Sequence, residues 1–347
     1  MSNCSTTFTP LAKVAAMETD NLQMSSIAFI GQHPLPVDYS REVFGDEHHV
    51  DLDQPTWGAI RMKRCLDSLQ HVQGAVLEVG CGAGRCIRTV ERHRPDLRLY
   101  GCDLGLKALK CAKRKGGRVK YSQSDAARLP YANESFASVI VLDLIEHVPD
   151  VTGVLAEINR VTCPGGILHL HVPCEGNRLS LYRPLLKKGI DLTRDAVGHL
   201  HHFRTREVIK HLCHAGFAIT KKRYSMYPIG QLHDMIGWKS RIQNRPLNEP
   251  ENPATAKEQT PQHALIPRSR KKRLRLGDRG WKIAQALMTR GQYLEVHLAG
   301  WQPIGAIGLC VTAMKQGSTS PQLDLGPDTC VQRDFGAAQV DPNRQEL

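Results

Sequence analysis

The stretch AVLEVGCGAGR, residues 75–85, decides the fold. Glu78, Gly80, Gly82 and Gly84 stand there in the pattern acid-x-G-x-G-x-G on a short apolar run, and Asp103 follows nineteen residues after Gly84. The run reads as a buried strand. The glycines let the chain turn with positive φ and let backbone approach a ligand, and the helix that follows turns its free amides toward it. This spacing predicts a pocket for a nucleotide-containing cofactor.

A dinucleotide fingerprint needs G-x-G-x-x-G, and the place of its third glycine is taken by Arg85. A nicotinamide dinucleotide is therefore excluded. The pattern at 78–84, followed by YGCD at 100–103, SDAARLPYANESFASVIVLDLIEHVPD at 124–150 with its leading residues, and EINRVTCPGGILHLHVP at 157–173, resembles the successive motifs of class I S-adenosylmethionine-dependent methyltransferases. Within that family the chain looks most like the small-molecule group that includes ubiquinone-biosynthesis enzymes. The resemblance covers about 55–225 and returns at 303–315.

Short apolar runs (AVLEV, LRLYGC, RVKYS, SVIVLD, GILHLHV, FAITKKR) alternate with helical segments near 84–93, 105–115, 150–161 and 204–215. Such alternation predicts an α/β fold with a doubly wound parallel sheet and helices on both faces. The resemblance implies a Rossmann-like sheet of seven strands, mostly parallel, whose last strand, GAIGLCVTAMK at 305–315, inserts antiparallel beside the sixth. Residues 1–50 read as a mobile arm and 51–315 as the methyltransferase domain. Within it, 226–302 is an insertion with a disordered, basic, proline-rich middle, followed by an amphipathic helix at 281–298; 316–347 reads as a disordered tail. A helix at about 55–71 leads into the core, with Trp57, Ile60, Met62 and Leu66 expected to pack on the sheet.

The composition, 41% hydrophobic and 23% charged, is that of an ordinary folded protein, and no stretch of eighteen apolar residues runs uninterrupted. No transmembrane helix or secretory signal is expected. The eleven cysteines form no C-x-x-C pair and read as reduced thiols, which suits the cytoplasm. Of the net charge of +12, six positive charges sit in RSRKKRLR at 268–275. A single run in a proline-rich segment reads first as a solvated loop, then as a peripheral contact with anionic membrane or an acidic partner; nucleic acid is not expected.

Carried onto this chain, the resemblance implies that Gly80, Cys81, Gly82 and Gly84 border the methionine part of S-adenosylmethionine, with Glu78 assisting through backbone or the amino group. Asp103, beside Leu104, would accept both ribose hydroxyls, because an ionised carboxylate offers two oxygens to a diol. Asp125 and Ala126 would meet the adenine. Leu142 and Asp143 would line the methyl-donor end.

Methyl transfer from a sulfonium needs mainly alignment and exclusion of water, with a general base only where the acceptor must lose a proton. Asp143, Glu146 and His147 in LDLIEHVPD are candidates, as is His202, or its neighbour His199, in GHLHHF at 198–203. LDLIEHVPD is similar to a segment that holds a divalent cation in ubiquinone-biosynthesis O-methyltransferases. Here Asp stands at the first position with a shorter reach, and the histidine loop shows no accompanying ligands in sequence, so the cation is an alternative rather than the expected reading. Thr205 reads as the N-cap of the following helix.

The motifs of base methyltransferases, D/N-P-P-Y or a Pro-Cys nucleophile, are absent after the fourth strand. The expected acceptor is a small molecule, quinone-like or lipid, methylated on O or N. An RNA-modifying enzyme using the basic run, or a non-catalytic cofactor-binding protein, are the alternatives, and the oligomeric state is left open. Tyr224, Tyr227, Trp238, Trp281 and Trp301 of the insertion either line an acceptor pocket or anchor helices, the second being the default.

Overall fold

The computed structural model describes residues 43–45, 49–243 and 278–317. In chain order the elements are α1 (Trp57–Ser68), β1 (Ala75–Val79), α2 (Arg85–His93), β2 (Arg98–Asp103), α3 (Leu106–Arg114), β3 (Lys120–Gln123), β4 (Phe136–Leu142), α4 (Val151–Val161), β5 (Thr162–Pro173), α5 (Arg183–Leu186), α6 (Leu192–Val197), α7 (Thr205–His214), β6 (Phe217–Ser225), α8 (Pro228–Gln243), α9 (Asp278–Ala299) and β7 (Gly308–Lys315). The strands form one sheet in the order 3-2-1-4-5-7-6. Strands β1 to β5 run parallel, and β7 inserts antiparallel between β5 and β6. This is the doubly wound sheet that the alternation predicts, with the Rossmann-like order and antiparallel strand that the resemblance implies.

Both faces of the sheet are covered, which is why the strands read as continuous apolar runs. Val76, Ile140 and Leu142 point into one core with Met62 and Leu69 from the first helical region and Ile87 of α2. Their neighbours Leu77, Val139 and Val141 point into the other, against Leu155 and Ile158 of α4 and Val208 of α7. The strand order reverses between β1 and β4, so their carboxyl ends open a crevice there.

Three expectations change. The arm does not extend freely to residue 50: the Phe44 carbonyl accepts the Ala83 amide at 2.8 Å, and the Val50 amide donates to Thr89 Oγ1 at 2.8 Å. Helix α7 has Arg204, not Thr205, as its N-cap; the Thr205 amide is held by Asn177 Oδ1 at 3.0 Å. Helix α8 was not foreseen. Its cavity side carries Asp234 and Trp238 while Ile229 and Leu232 face solvent, so apolar and polar residues do not separate into the usual stripe. Eight described cysteines are free thiols, in line with the reduced expectation.

The basic run at 268–275, most of the arm and the tail from 318 lie outside the described residues. No helix among the described residues is long and apolar enough to cross a membrane.

Candidate active site

The crevice is a cavity of about 580 Å³, within the usual range for small-molecule sites. Its first half is built by the turn after β1. Gly80, Gly82 and Gly84 have φ of 76°, 53° and 77°, a region that side chains disfavour. The amides of Gly80 and Cys81 both donate to the Cys102 carbonyl, at 2.8 and 3.0 Å, which ties the turn to β2. A Cβ on Gly82 would lie 2.7 Å from the Phe44 carbonyl oxygen, so the turn is a cradle only glycine can line.

Asp103 organises this half. Its Oδ2 accepts the Gly82 amide at 2.8 Å and its Oδ1 the Gly105 amide at 2.7 Å, so one side chain joins the turn to the start of α3. Burial raises its pKa, and these two amides oppose that. Each oxygen keeps a further lone pair for a ligand hydroxyl.

Glu78 is 2% exposed and receives the Ile87 amide, while its Oε2 has no partner. Burial pushes its pKa up to about 8, against the Ile87 amide and Arg61. Cys81, Leu104, Asp125 and Ala126 line the same cavity. Asp125 also accepts the Ala127 amide at 2.9 Å. Gly84 stands behind the lining as the left-handed N-cap of α2. The close glycine turn and the unpartnered buried Glu78 oxygen fit the methionine end of S-adenosylmethionine, with its ammonium.

Asp143 closes β4 with a φ of 52°. Its carboxylate is gripped by Arg61 and by His171 Nδ1, and Trp57 packs on the His171 ring at 5.3 Å. Burial would raise the Asp143 pKa, but Arg61 and His171 outweigh it and hold the carboxyl well below the usual range. Asp143 is thus an anchored wall of the cavity. Trp57 packs against the core, as expected, and lines the cavity as well.

The second half joins segments far apart in sequence. The Glu146 carbonyl accepts the amides of Leu200 at 2.7 Å and His201 at 3.2 Å, which docks the histidine loop onto the end of β4. The Glu146 side chain is fully buried with neither oxygen hydrogen-bonded, Oε1 lying 3.9 Å from His147 Nε2, and burial, then Asp143, raises its pKa well above normal. His147 Nδ1 donates to the Gly198 carbonyl over 3.4 Å, and burial, then His199, lowers the pKa of its ring to about 4. His199 Nδ1 donates to Glu175 Oε1 at 2.8 Å. The two rings meet edge to face with centroids 4.8 Å apart.

One ligand atom from each of Glu146, His147 and His199 lies within 4.8 Å of the others. The histidine loop therefore does have accompanying ligands, supplied from fifty residues away. One carboxyl and two imidazole side chains are a donor set that suits a first-row divalent cation, and the Glu175 bond to His199 is the outer support such ligands carry.

His202 does not line the cavity: its Nε2 faces Asp191 Oδ1 at 3.1 Å and Thr193 Oγ1 at 3.3 Å, whereas its loop neighbour His199 does line it. Glu175, Tyr182, Asp234 and Arg61 line the cavity and were missed. An acid two residues beyond β5 was the available signal for Glu175. Burial, then Asp143 and Glu175, pushes Asp234 up to about 7. Trp238 lines the cavity, whereas Tyr227 anchors the insertion through its hydroxyl, which donates to Gln302 O at 2.6 Å. Trp301 is exposed, and the Trp281 side chain lies outside the described set.

Residues 77–170 match the family described as a methyltransferase domain. Among curated proteins, demethylmenaquinone methyltransferase of Deinococcus radiodurans is 32% identical over 114 residues, 32% of this chain and 47% of that one. The ubiquinone/menaquinone biosynthesis C-methyltransferase UbiE of Desulfotalea psychrophila is 34% identical over 95 residues, 27% and 39% of the two chains. The chain spans less than half the length of these relatives. The solved YcgJ protein of Bacillus subtilis aligns over 74% of this chain and 99% of its own, with 15% identity and a TM-score of 0.44.

Proposed function

We propose, from the premise that this chain carries a class I S-adenosylmethionine-dependent methyltransferase domain, that it transfers the methyl group to a small-molecule, quinone-like or lipid acceptor on O or N. The observation that carries this reading is the continuity of the cavity. One space runs from the glycine turn past Asp143 to a wall of Trp57, Tyr182, Met226, Trp238 and Ile307, with a neutral imidazole on its side.

The cofactor supplies the electrophilic methyl group. Asp103 would hold the ribose, Asp125 and Ala126 the adenine, and Glu78 the ammonium, which favours the ionised form of a carboxyl that burial keeps protonated. Asp143, fixed by Arg61 and His171, would set the position of the methyl-donor end. The Gly198 carbonyl can only accept, so it places the His147 proton on Nδ1 and leaves Nε2 basic. His147 Nε2 would take the acceptor's proton, and its low pKa keeps it available at neutral pH. Where a divalent cation is present, Glu146, His147 and His199 would hold it, and it would acidify an acceptor hydroxyl.

The reading is tested by incubating the protein with labelled S-adenosylmethionine and a fractionated extract, then identifying the labelled product. A labelled small molecule or lipid is the expected result. Label in RNA, or cofactor binding without any transfer, overturns it.

A further inference from the structure

Twelve large hydrophobic side chains are exposed among the described residues, and ten of them fall in just three segments, 179–181, 229–232 and 283–304. The densest group is on α9. Ile283, Leu287, Leu294 and Leu298 recur at steps of four, seven and four, which places them on one stripe, and Trp301 and Ile304 continue it past the helix end. Leu298 is 69% exposed and Trp301 71%. The opposite side, with Gln292 and Val296, is the buried one. A helix of this kind shows solvent the face that a water-soluble surface helix hides.

The other segments join this patch. The Leu181 amide donates to Gln231 Oε1 at 2.7 Å, and Leu185 and Ile190 pack in one cluster with Met235 and Trp238. Helix α9 is bound to α8 through Glu295, which accepts the Ile229 and Gly230 amides at 3.0 and 3.2 Å.

The charge of the surface selects the partner. Across 178–189, 228–241 and 283–304 no exposed residue is acidic, while Arg178, Lys187, Lys188, Lys239, Arg241 and Arg290 are exposed. The exposed acid of the adjoining α6, Asp195, lies beyond these segments. In sequence, the six cations of 268–275 come just before α9. A second copy of the chain would bring the same positive charge against this face, which disfavours self-association. A convex leucine stripe flanked by cations and ended by a tryptophan matches the boundary between acyl chains and anionic headgroups.

We propose that the surface formed by α5, α8 and α9 docks on an anionic phospholipid bilayer. Tyr182, beside Leu181, and Trp238 on α8 line the acceptor half of the cavity, so docking sets that half against the lipid. An amphiphilic acceptor then reaches the cavity without crossing water. Docking stands on the surface alone; only the passage of an acceptor rests on the proposed methyl transfer.

The test is co-sedimentation of the full chain with vesicles of phosphatidylcholine alone or with one-third phosphatidylglycerol. Binding to the anionic vesicles should exceed binding to the neutral ones at least tenfold, and L294D/L298D should reduce it at least tenfold while calorimetry shows unchanged S-adenosylmethionine affinity. Should that double variant fail to fold, Trp301→Ser, in the turn after α9, should still lower binding several-fold. Three results overturn the proposal: no vesicle binding, vesicle binding unaffected by these substitutions, or a dimer or complex with an acidic protein that they abolish in place of vesicle binding.

Discussion

The two halves of the cavity are built differently. The half that begins at the glycine turn comes from the β1 turn, the β2 end and the β3 loop, all within residues 78–126, and the Cys102 carbonyl and Asp103 tie its pieces together. The other half, proposed to hold the acceptor, gathers Glu146, Glu175, His199 and Trp238 from segments as much as 92 residues apart, joined by contacts such as that of the Glu146 carbonyl with the histidine loop. Local geometry specifies the first, and long-range docking the second. The first should therefore fail by losing a ligand, the second by losing turnover.

Substitutions can break this division. The largest effect is expected at His147→Ala, which should cut kcat by roughly 10²- to 10⁴-fold, the usual worth of a positioned base, with cofactor affinity unchanged. Equal loss of affinity would place His147 in the cofactor half. Asp103→Ala should weaken S-adenosylmethionine binding about 100-fold, or ~2.7 kcal/mol, through lost charge-assisted hydrogen bonds. Calorimetry on the folded variant measures it. Gly82→Ala should cost roughly 1–3 kcal/mol, because it forces a side chain into left-handed backbone against the Phe44 carbonyl. Thermal melts with and without the Phe44 segment would show whether that contact is the cause.

The smaller effects sharpen the comparison. Glu78 has a folded pKa of about 8, raised above its ordinary 4.5, so its contribution to stability is complete below about 4.5 and is lost as pH rises through about 8. The cofactor's ammonium favours the ionised carboxylate, so affinity should rise over the same interval. Both slopes should flatten in Glu78→Gln. His147 has the opposite sign: its pKa falls from 6.5 to about 4, so its contribution is lost as pH drops through that window, and kcat/KM should stay flat down to about pH 5. A fall centred near 6.5 would exclude it as the base. His202→Ala should change kcat less than about twofold, since its bonds go to Asp191 and Thr193 at the start of α6. His199→Ala provides the contrast, with a loss well beyond that.

How much of the site was legible follows from the same division. Gly80, Gly82, Asp103 and Asp125, which line the cavity, could be named in advance because the motifs that carry the family resemblance are short and contiguous. His199 and His202 could not be told apart. They sit three residues apart in one loop, and the choice depends on two amides that Glu146 accepts from that loop. Arg61 carried no signal, because on α1 it resembles any exposed cation until Asp143 meets it. Helix α8 escaped notice because its inward side serves the cavity and its outward side is apolar.

By itself the sequence determined the alternation of the strands with the helices that cover the sheet and the crevice after β1, and its resemblance to a known family named the cofactor. The first two depend on period, glycine φ and short spacing, and the resemblance on short motifs, all local properties of a chain. Only the tertiary structure decided which histidine of the loop lines the cavity, that Asp143 is anchored by Arg61 and His171, that Glu146, His147 and His199 converge, and that α9 turns its leucines outward. Each of these is a relation between distant segments, set by packing and by the pairing of buried polar groups, which no single stretch of residues encodes.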